Sequence, residues 1–391
     1  MKIGLLCCWS NMRIYPIYSS SLKKALETLT GDEVPVITTD CMCFDKSNPI
    51  DEDYDYINIP YHAYMHPTAL DRSRVVPRLT MYAKTEGYSV LEFLRGRAFA
   101  SRANEFDVVD FQQSSYAFGY EALKSFLSRR IKARRVVTIH KLDLIQKEQP
   151  ELNRIYNKAD GVIVFSQYLK DSLVHDGVRP DKISVVYHGT SLPELQDTAR
   201  DQAILFCGSP IPNVKGFEYY VVALRLLRDQ GIELKTKIYG FFRKNEKEYA
   251  LQLAADEGVD GLLEWQSFTN EGELIEQYQK SLVSVIPYTG YAGYFPAAYS
   301  MGNAVPVVAT DILGHAEYLA GAGLMVPPAA PEELASAVKR VLKDEALRNE
   351  MGVNGRKRAE ETLSWETVAA QTLDVFRNVL EGEMTAAGGR R

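Results

Sequence analysis

The sequence predicts an α/β protein built as two doubly wound domains, and three observations carry that prediction. Short runs of Val, Ile and Leu alternate with longer amphipathic stretches along all 391 residues. Most of these runs are continuously apolar, as strands covered on both faces by helices must be. A polar stretch without periodicity at 192–202 divides the chain into halves, each long enough to bury its own core.

In the first half the strands fall at Lys2–Leu6, Glu33–Thr39, Tyr56–Pro60, Asp107–Phe111, Val136–His140, Gly161–Ser166 and Ile183–His188. In the second half they fall at Ala203–Gly208, Lys235–Gly240, Leu262–Gln266, Val283–Tyr288, Val305–Thr310 and Leu324–Val326. Crossovers between consecutive parallel strands require a helix after nearly every one. Pro331 opens a helix where its missing N–H costs little, and Leu334, Val338, Val341 and Leu342 then share a face. Ser364 is a good N-cap for a last helix with the stripe Val368, Thr372, Val375, Phe376 and Val379. The expected organisation is an N-terminal Rossmann-like domain over 1–190 and a C-terminal one over 200–360. A helix over 364–382 is expected to pack back toward the first domain, ahead of a frayed tail over 384–391. Two doubly wound domains facing each other place a ligand cleft at the carboxyl ends of their strands.

Composition narrows the function classes. A net charge of −6 argues against a dedicated nucleic-acid binder. The acidity is uneven: residues 1–195 carry 25 Lys and Arg against 24 Asp and Glu, and the remainder 20 against 27. The five cysteines are odd in number, and Cys41 and Cys43 form C-x-C without a partner pair, which fits reduced thiols better than a disulfide or zinc framework. Cys7, Cys8 and Cys207 sit in apolar runs and read as core residues. Met1–Leu6 reads as a first strand and no uninterrupted apolar run of about 18 residues occurs, so a cytoplasmic location is expected. No G-x-G-x-x-G follows any strand, which sets aside a dinucleotide-dependent dehydrogenase.

The most specific run is Val305-Pro-Val-Val-Ala-Thr-Asp-Ile-Leu-Gly-His-Ala-Glu317, followed by Gly323-Leu-Met-Val-Pro-Pro328, the Pro331 helix and Leu363-Ser-Trp-Glu366. With it stand Ala159-Asp-Gly-Val-Ile-Val-Phe-Ser166, Gly177-Val-Arg-Pro-Asp-Lys-Ile-Ser-Val-Val-Tyr-His-Gly189, and Ala203-Ile-Leu-Phe-Cys-Gly208 ahead of Lys215-Gly216. In these blocks the chain resembles the family-4 retaining glycosyltransferases of the GT-B fold. The resemblance implies a site for a nucleotide sugar. Lys215 matches the family's diphosphate lysine and His140 its histidine near the donor sugar, so both are the expected catalytic residues. The donor pocket is expected to include Gly208, Ser209, Arg243, Phe268, Gly293, Tyr294, Phe295 and Glu317. Gly293, Tyr294 and Phe295 would offer backbone N–H groups to the phosphates, and Phe268 would meet the nucleobase or pack in the core. Glu317 reads as a residue of the donor pocket or one supporting it from behind, or else as a surface ion pair. Asn11, Arg13 and Tyr15, in the Trp9–Tyr18 segment read as the loop after the first strand, are expected on the acceptor side.

Two departures from the family pattern stand out. Ser209 occupies the place of an arginine, with Arg243 as a candidate replacement. Both glutamates of the family's E-x7-E pair are tyrosines here, Tyr291 and Tyr299. In the family the first glutamate contacts the donor sugar and the second holds the ribose hydroxyls. A tyrosine hydroxyl can hydrogen-bond ribose, and aromatic core packing is the competing reading for both.

The resemblance implies transfer of a hexose from a nucleotide sugar to an acceptor hydroxyl with retention. UDP-glucose is the expected donor, and a polysaccharide or lipid-linked oligosaccharide the acceptor. No metal is expected, and Asp51-Glu-Asp53 reads as a solvated loop. Ser128-Arg-Arg-Ile-Lys-Ala-Arg-Arg135, beside Leu123, Phe126 and Leu127, suggests contact of Arg129–Arg135 with an anionic membrane surface, or else a solvated helix end. Arg72-Ser-Arg-Val-Val-Pro-Arg78 faces either an anionic acceptor or solvent, and His62 and His66 read as surface residues. The rival functions are a non-catalytic GT-B protein that binds a sugar nucleotide or a partner transferase, and a sugar-nucleotide 2-epimerase. The lost carboxylates favour the first and disfavour the second.

Overall fold

The computed structural model describes residues 1–8, 14–39, 54–57, 96–113, 120–140, 150–196, 200, 203–240, 244–266, 270–290 and 293–382. Two compact units emerge. One comprises Met1–Phe165, Leu169–Val186 and Ala369–Arg391, and the other Ser166–Tyr168 and Tyr187–Val368.

In the first unit seven strands form one sheet: β1 (Ile3–Cys8), β2 (Val36–Thr39), β3 (Tyr54–Ile57), β4 (Val108–Gln113), β5 (Arg134–Ile139), β6 (Gly161–Val164) and β7 (Ile183–Val185). Their order is β3-β2-β1-β4-β5-β6-β7, and every pairing is parallel. Leu5, Leu6, Val109, Phe111, Val136 and Val162 are fully buried, as strands covered on both faces should be. The Phe111 ring packs between Phe99 and Phe126.

The first unit corrects two expectations. Ile14–Tyr18, read as loop, is the first part of a helix spanning Ile14–Thr30. Pro16 is tolerated there because its missing N–H falls among the first-turn groups that have no intrahelical partner. The apolar residues beside the basic Arg129–Arg135 stretch are also committed elsewhere. Leu123, Phe126 and Leu127 belong to the buried face of the Tyr120–Leu127 helix, so they are not offered to a lipid surface. Arg135 donates to the Leu127 carbonyl oxygen, and Arg134 and Arg135 both lie 3.5 Å from Asp160.

The second unit holds a six-stranded parallel sheet: β8 (Ala203–Cys207), β9 (Lys235–Tyr239), β10 (Leu263–Gln266), β11 (Val283–Ile286), β12 (Val307–Thr310) and β13 (Gly323–Val326). The order is β10-β9-β8-β11-β12-β13. Its core gathers Phe206, Phe217, Tyr220, Leu224, Ile238, Val285, Val308 and Val338. In the Pro331–Lys343 helix Leu334, Val338 and Val341 are buried as expected, while Leu342 is only half-buried.

Ser364 caps the Trp365–Glu381 helix by accepting from the Thr367 N–H at 3.1 Å. The whole stripe Val368, Thr372, Val375, Phe376 and Val379 is buried. This helix starts in the second unit, and from Ala369 onward it belongs to the first. Among the described residues no helix is long and apolar enough to cross a membrane.

Candidate functional site

In each sheet the chain order reverses once, between β1 and β4 in the first unit and between β8 and β11 in the second. Loops leaving such neighbouring strands run in opposite directions and leave a crevice at their carboxyl ends, where ligands of open α/β sheets bind. The second unit furnishes this crevice most fully.

After β8 the chain passes through Gly208, at φ +142°, and Ser209 to Lys215 and Gly216. Gly216 (φ +63°) precedes the Phe217–Arg228 helix and lies directly against the backbone leaving β11. A β-carbon on it would sit 1.7 Å from the Pro287 carbonyl oxygen. The two loops are also tied by hydrogen bonds from the Thr289 and Gly290 N–H groups to the Val214 carbonyl oxygen, at 3.0 and 3.2 Å. Lys215 is thereby fixed at the switch point. Its Nζ lies 3.8 Å from the Tyr288 ring centroid, a cation–π contact. Tyr288 itself is anchored by donating its hydroxyl to the Cys207 carbonyl oxygen at 2.9 Å.

Buried polar atoms border this lysine. Among the described residues the side-chain oxygen of Thr289 has no hydrogen-bond partner, nor does Nε2 of His315. The His315 ring lies 6.1 Å from that of Tyr288. Its Nδ1 donates to the Thr310 carbonyl oxygen at 3.1 Å, which leaves the lone pair on Nε2. Burial, reinforced by the positive charge of Lys215, pushes the His315 pKa down to about 4. Orphaned buried polar atoms are costly unless a ligand or water satisfies them.

Gly293 is the N-cap of the Tyr294–Gly302 helix, and no side chain caps that helix. Its first-turn N–H groups therefore remain suited to an anion. The side chains of Tyr294 and Phe295 are in the core rather than in an open pocket. The Tyr294 hydroxyl donates to the Leu313 carbonyl oxygen at 2.7 Å and lies 2.8 Å from the Ser166 hydroxyl. What these two residues can offer a ligand is backbone.

Tyr299 corrects the ribose-binding expectation. Its ring is fully buried, 4.3 Å from Phe295 and 6.0 Å from Tyr278 between centroids. Its hydroxyl is donated to Glu271 Oε1, which also accepts from the Ser191 hydroxyl at 2.5 Å. Glu271, half-buried at the start of the Glu271–Lys280 helix, is the carboxylate that sequence reasoning missed. No motif flags it, because the contact spans 28 residues.

Glu317 is held by hydrogen bonds within the second unit. Its carboxylate accepts from the Gln167 N–H at 2.8 Å, the Tyr168 N–H at 3.2 Å and the Tyr187 hydroxyl at 2.9 Å. Arg243, Phe268 and Tyr291 lie outside the described residues, as do Asn11, Arg13, His62, His66, the Asp51–Asp53 loop and the Arg72–Arg78 stretch. Tyr15 falls within the Ile14–Thr30 helix.

In the first unit His140 directly follows β5 and is buried. Tyr18 meets its ring edge-on at 4.7 Å and Phe165 at 5.1 Å. Its Nε2 lies 2.7 Å from Gln112 Oε1, on the neighbouring strand β4.

Both units thus carry polar chemistry at the carboxyl ends of doubly wound sheets, and the sequence matches agree with the geometry. Residues 21–193 match Glycosyltransferase Family 4, and residues 194–358 match Glycosyl transferases group 1. The chain belongs to the family-4 glycosyltransferases. Its fold is GT-B, two doubly wound α/β domains. This glycosyltransferase is 28% identical over 228 residues to the MMP alpha-(1->4)-mannosyltransferase of Mycolicibacterium hassiacum, a match covering 56% of this chain and 53% of that protein. The chain thus spans about half the length of that curated relative.

Among solved structures it resembles a sucrose-phosphate synthase from Thermosynechococcus elongatus, with a TM-score of 0.73 at 19% identity, covering 98% of this chain and 100% of that one. It also resembles Anabaena HepE in complex with UDP and glucose, with a TM-score of 0.70 at 16% identity, covering 96% and 99%. At such identities these likenesses concern the fold.

Proposed function

We propose that this glycosyltransferase is a retaining hexosyltransferase that takes its sugar from a UDP-linked donor, glucose being the first sugar to try. The acceptor we propose is a hydroxyl of a polysaccharide or of a lipid-linked oligosaccharide. The observation that carries the reading is Lys215, held over the Tyr288 ring at the β8/β11 switch point.

A nucleotide diphosphate leaves with roughly two or more negative charges, which a partly buried site must meet with a cation and backbone N–H groups. Lys215 supplies the first and the uncapped start of the Tyr294–Gly302 helix the second. On this reading the reaction needs no divalent ion. The UDP-bound state of the HepE neighbour supports the choice of base.

Glu271 supports the reading further. The family's ribose-binding glutamate is Tyr299 here, yet the Tyr299 hydroxyl is bonded to the Glu271 carboxylate, so a carboxylate is restored next to the altered position. We assign ribose recognition to Glu271. Charge developing on the sugar in the transition state is met without a protein nucleophile, in keeping with front-face displacement, and His140 orients the donor sugar.

Calorimetric titration of UDP, GDP and ADP into the wild type and Lys215→Ala tests the donor site. The expected result is micromolar UDP binding, weakened about tenfold or more by the substitution. Hydrolysis of UDP-glucose, with the anomer of the released sugar read by NMR, then tests sugar and stereochemistry. Absence of binding by all three nucleotides would overturn the enzyme reading in favour of a non-catalytic GT-B scaffold.

A further inference from the structure

Asp110 and Gln112 on β4 are two residues apart and share a face of the strand, as Thr138 on β5 and the following His140 do. The register pairs Gln112 with Thr138. All four side chains are buried, an unusual row of polar groups in a parallel sheet. They form a directed chain of hydrogen bonds. Both oxygens of Asp110 lie 2.9 Å from the Thr138 hydroxyl, and Oδ2 accepts from Gln112 Nε2 at 2.5 Å. The other end of the same amide, Oε1, lies 2.7 Å from His140 Nε2.

The direction of this chain is not arbitrary. Ionised, as it is at pH above about 7, the Asp110 carboxylate only accepts, so the nitrogen end of the Gln112 amide must then face it. Turning the amide over would set two acceptor oxygens against each other in a buried site, where an unmet pair is costly. The amide oxygen then faces His140. An amide oxygen cannot donate, so His140 Nε2 must carry the hydrogen. In the neutral ring the lone pair consequently resides on Nδ1.

We infer that Asp110, acting through Gln112, fixes the proton of His140 on Nε2, so that Nδ1 is the nitrogen that can accept a hydrogen bond or a proton. Asp110 and Gln112 are positioning residues and His140 is the group they set. This rests on the glycosyl-transfer reading only for its consequence: His140 meets a sugar hydroxyl as an acceptor. Tyr18 and Phe165, packed on the imidazole, hold the ring plane while the amide holds the proton. A fixed tautomer removes the fraction of molecules in which the ring presents the wrong nitrogen.

The tautomer is read by two-bond ¹⁵N–¹H correlation on the full chain labelled at histidine, with the His140 signals assigned by their loss in His140→Gln. At pH 8.5, where Asp110 is ionised, the wild type should show the Nε2–H form. Gln112→Met, similar in length but without an amide, should release the ring to a mixture of tautomers. Asp110→Leu should do the same, since nothing then orients the amide, whereas Asp110→Asn keeps an acceptor oxygen and should keep the Nε2–H form. In donor turnover Gln112→Met should lower kcat about tenfold or more with the donor KM within about twofold, and Asp110→Asn should retain most of kcat. A wild-type His140 protonated on Nδ1, or a tautomer unmoved in Gln112→Met, would overturn the inference. An Nε2–H ring in a chain that binds no nucleotide would uphold it and overturn the glycosyl-transfer reading alone.

Discussion

Gly216 lies so close to Pro287 that a β-carbon on the glycine would be 1.7 Å from the proline's carbonyl oxygen. That approach joins the loop after β8 to the loop after β11, and Lys215 is the residue before it in the chain. The same glycine has φ +63°, a conformation that side chains rarely adopt. Gly216→Ala is expected to lose about 2–4 kcal/mol of stability in urea unfolding, from clash and backbone strain together. UDP affinity measured below the unfolding transition should fall as well, because Lys215 moves with the loop. Unchanged affinity in the folded variant would separate Lys215 from the switch point.

Glu271 gives a prediction about ribose. With its carboxylate beside Tyr299 and Ser191, the wild type should bind UDP more tightly than 2′-deoxy-UDP, by about 1–3 kcal/mol. Glu271→Ala should bind both nucleotides alike. Tyr299→Phe removes only the hydroxyl that orients the carboxylate and should give an intermediate preference. Calorimetry with the two nucleotides decides the matter, and an equal preference in wild type and Glu271→Ala would remove Glu271 from the site.

Buried imidazoles give the chain an acid limit. Burial holds His188 and His315 each down to about 4, from an ordinary value of 6.5. In the unfolded chain they take up protons near 6.5, in the folded chain only near 4, so unfolding binds protons between these values. Their stabilising contribution is complete above 6.5 and is lost as pH falls through that window, by about 3 kcal/mol per ring at its lower end. Asp110 acts with the opposite sign. Burial raises it from 3.8 to about 7, so its contribution is complete below 3.8 and lost as pH rises through 7. Urea midpoints at pH 7.5, 6 and 4.5 should drop less steeply toward acid in His188→Gln than in the wild type. Asp110→Asn removes a contribution that grows as pH falls from about 7 to 3.8, so its midpoints should drop more steeply toward acid than those of the wild type.

Glu317 is expected to matter for stability first. Its carboxylate accepts from two backbone N–H groups and the Tyr187 hydroxyl, so Glu317→Ala should cost about 1–3 kcal/mol in urea unfolding. Glu317→Gln keeps an acceptor oxygen and should recover part of the loss. A donor-pocket role would instead appear as weakened UDP binding with stability intact.

The sequence by itself determined the fold and the family. Each of the thirteen expected strands, Lys2–Leu6 through Leu324–Val326, has its counterpart, because short β-branched and apolar runs bounded by turn residues and alternating with amphipathic stretches are how a parallel α/β sheet is written. It also singled out Lys215 and His140, which follow β8 and β5 in motif-bearing segments. Strand ends were the uncertain part: Val305–Thr310 starts as a strand only at Val307, and Ile14–Tyr18 entered a helix despite Pro16.

What only the tertiary structure decided is which polar groups are already spent. Tyr299 is a packing residue because Glu271, from a different helix, takes its hydroxyl, and Glu317 is satisfied by groups about 130 to 150 positions away in sequence. Asp110, Gln112 and His140 became a relay only through the register of β4 on β5. Hydrophobic burial follows a local period that one chain segment records on its own. Hydrogen bonds between distant segments leave no such period, because either partner alone looks like any other polar residue.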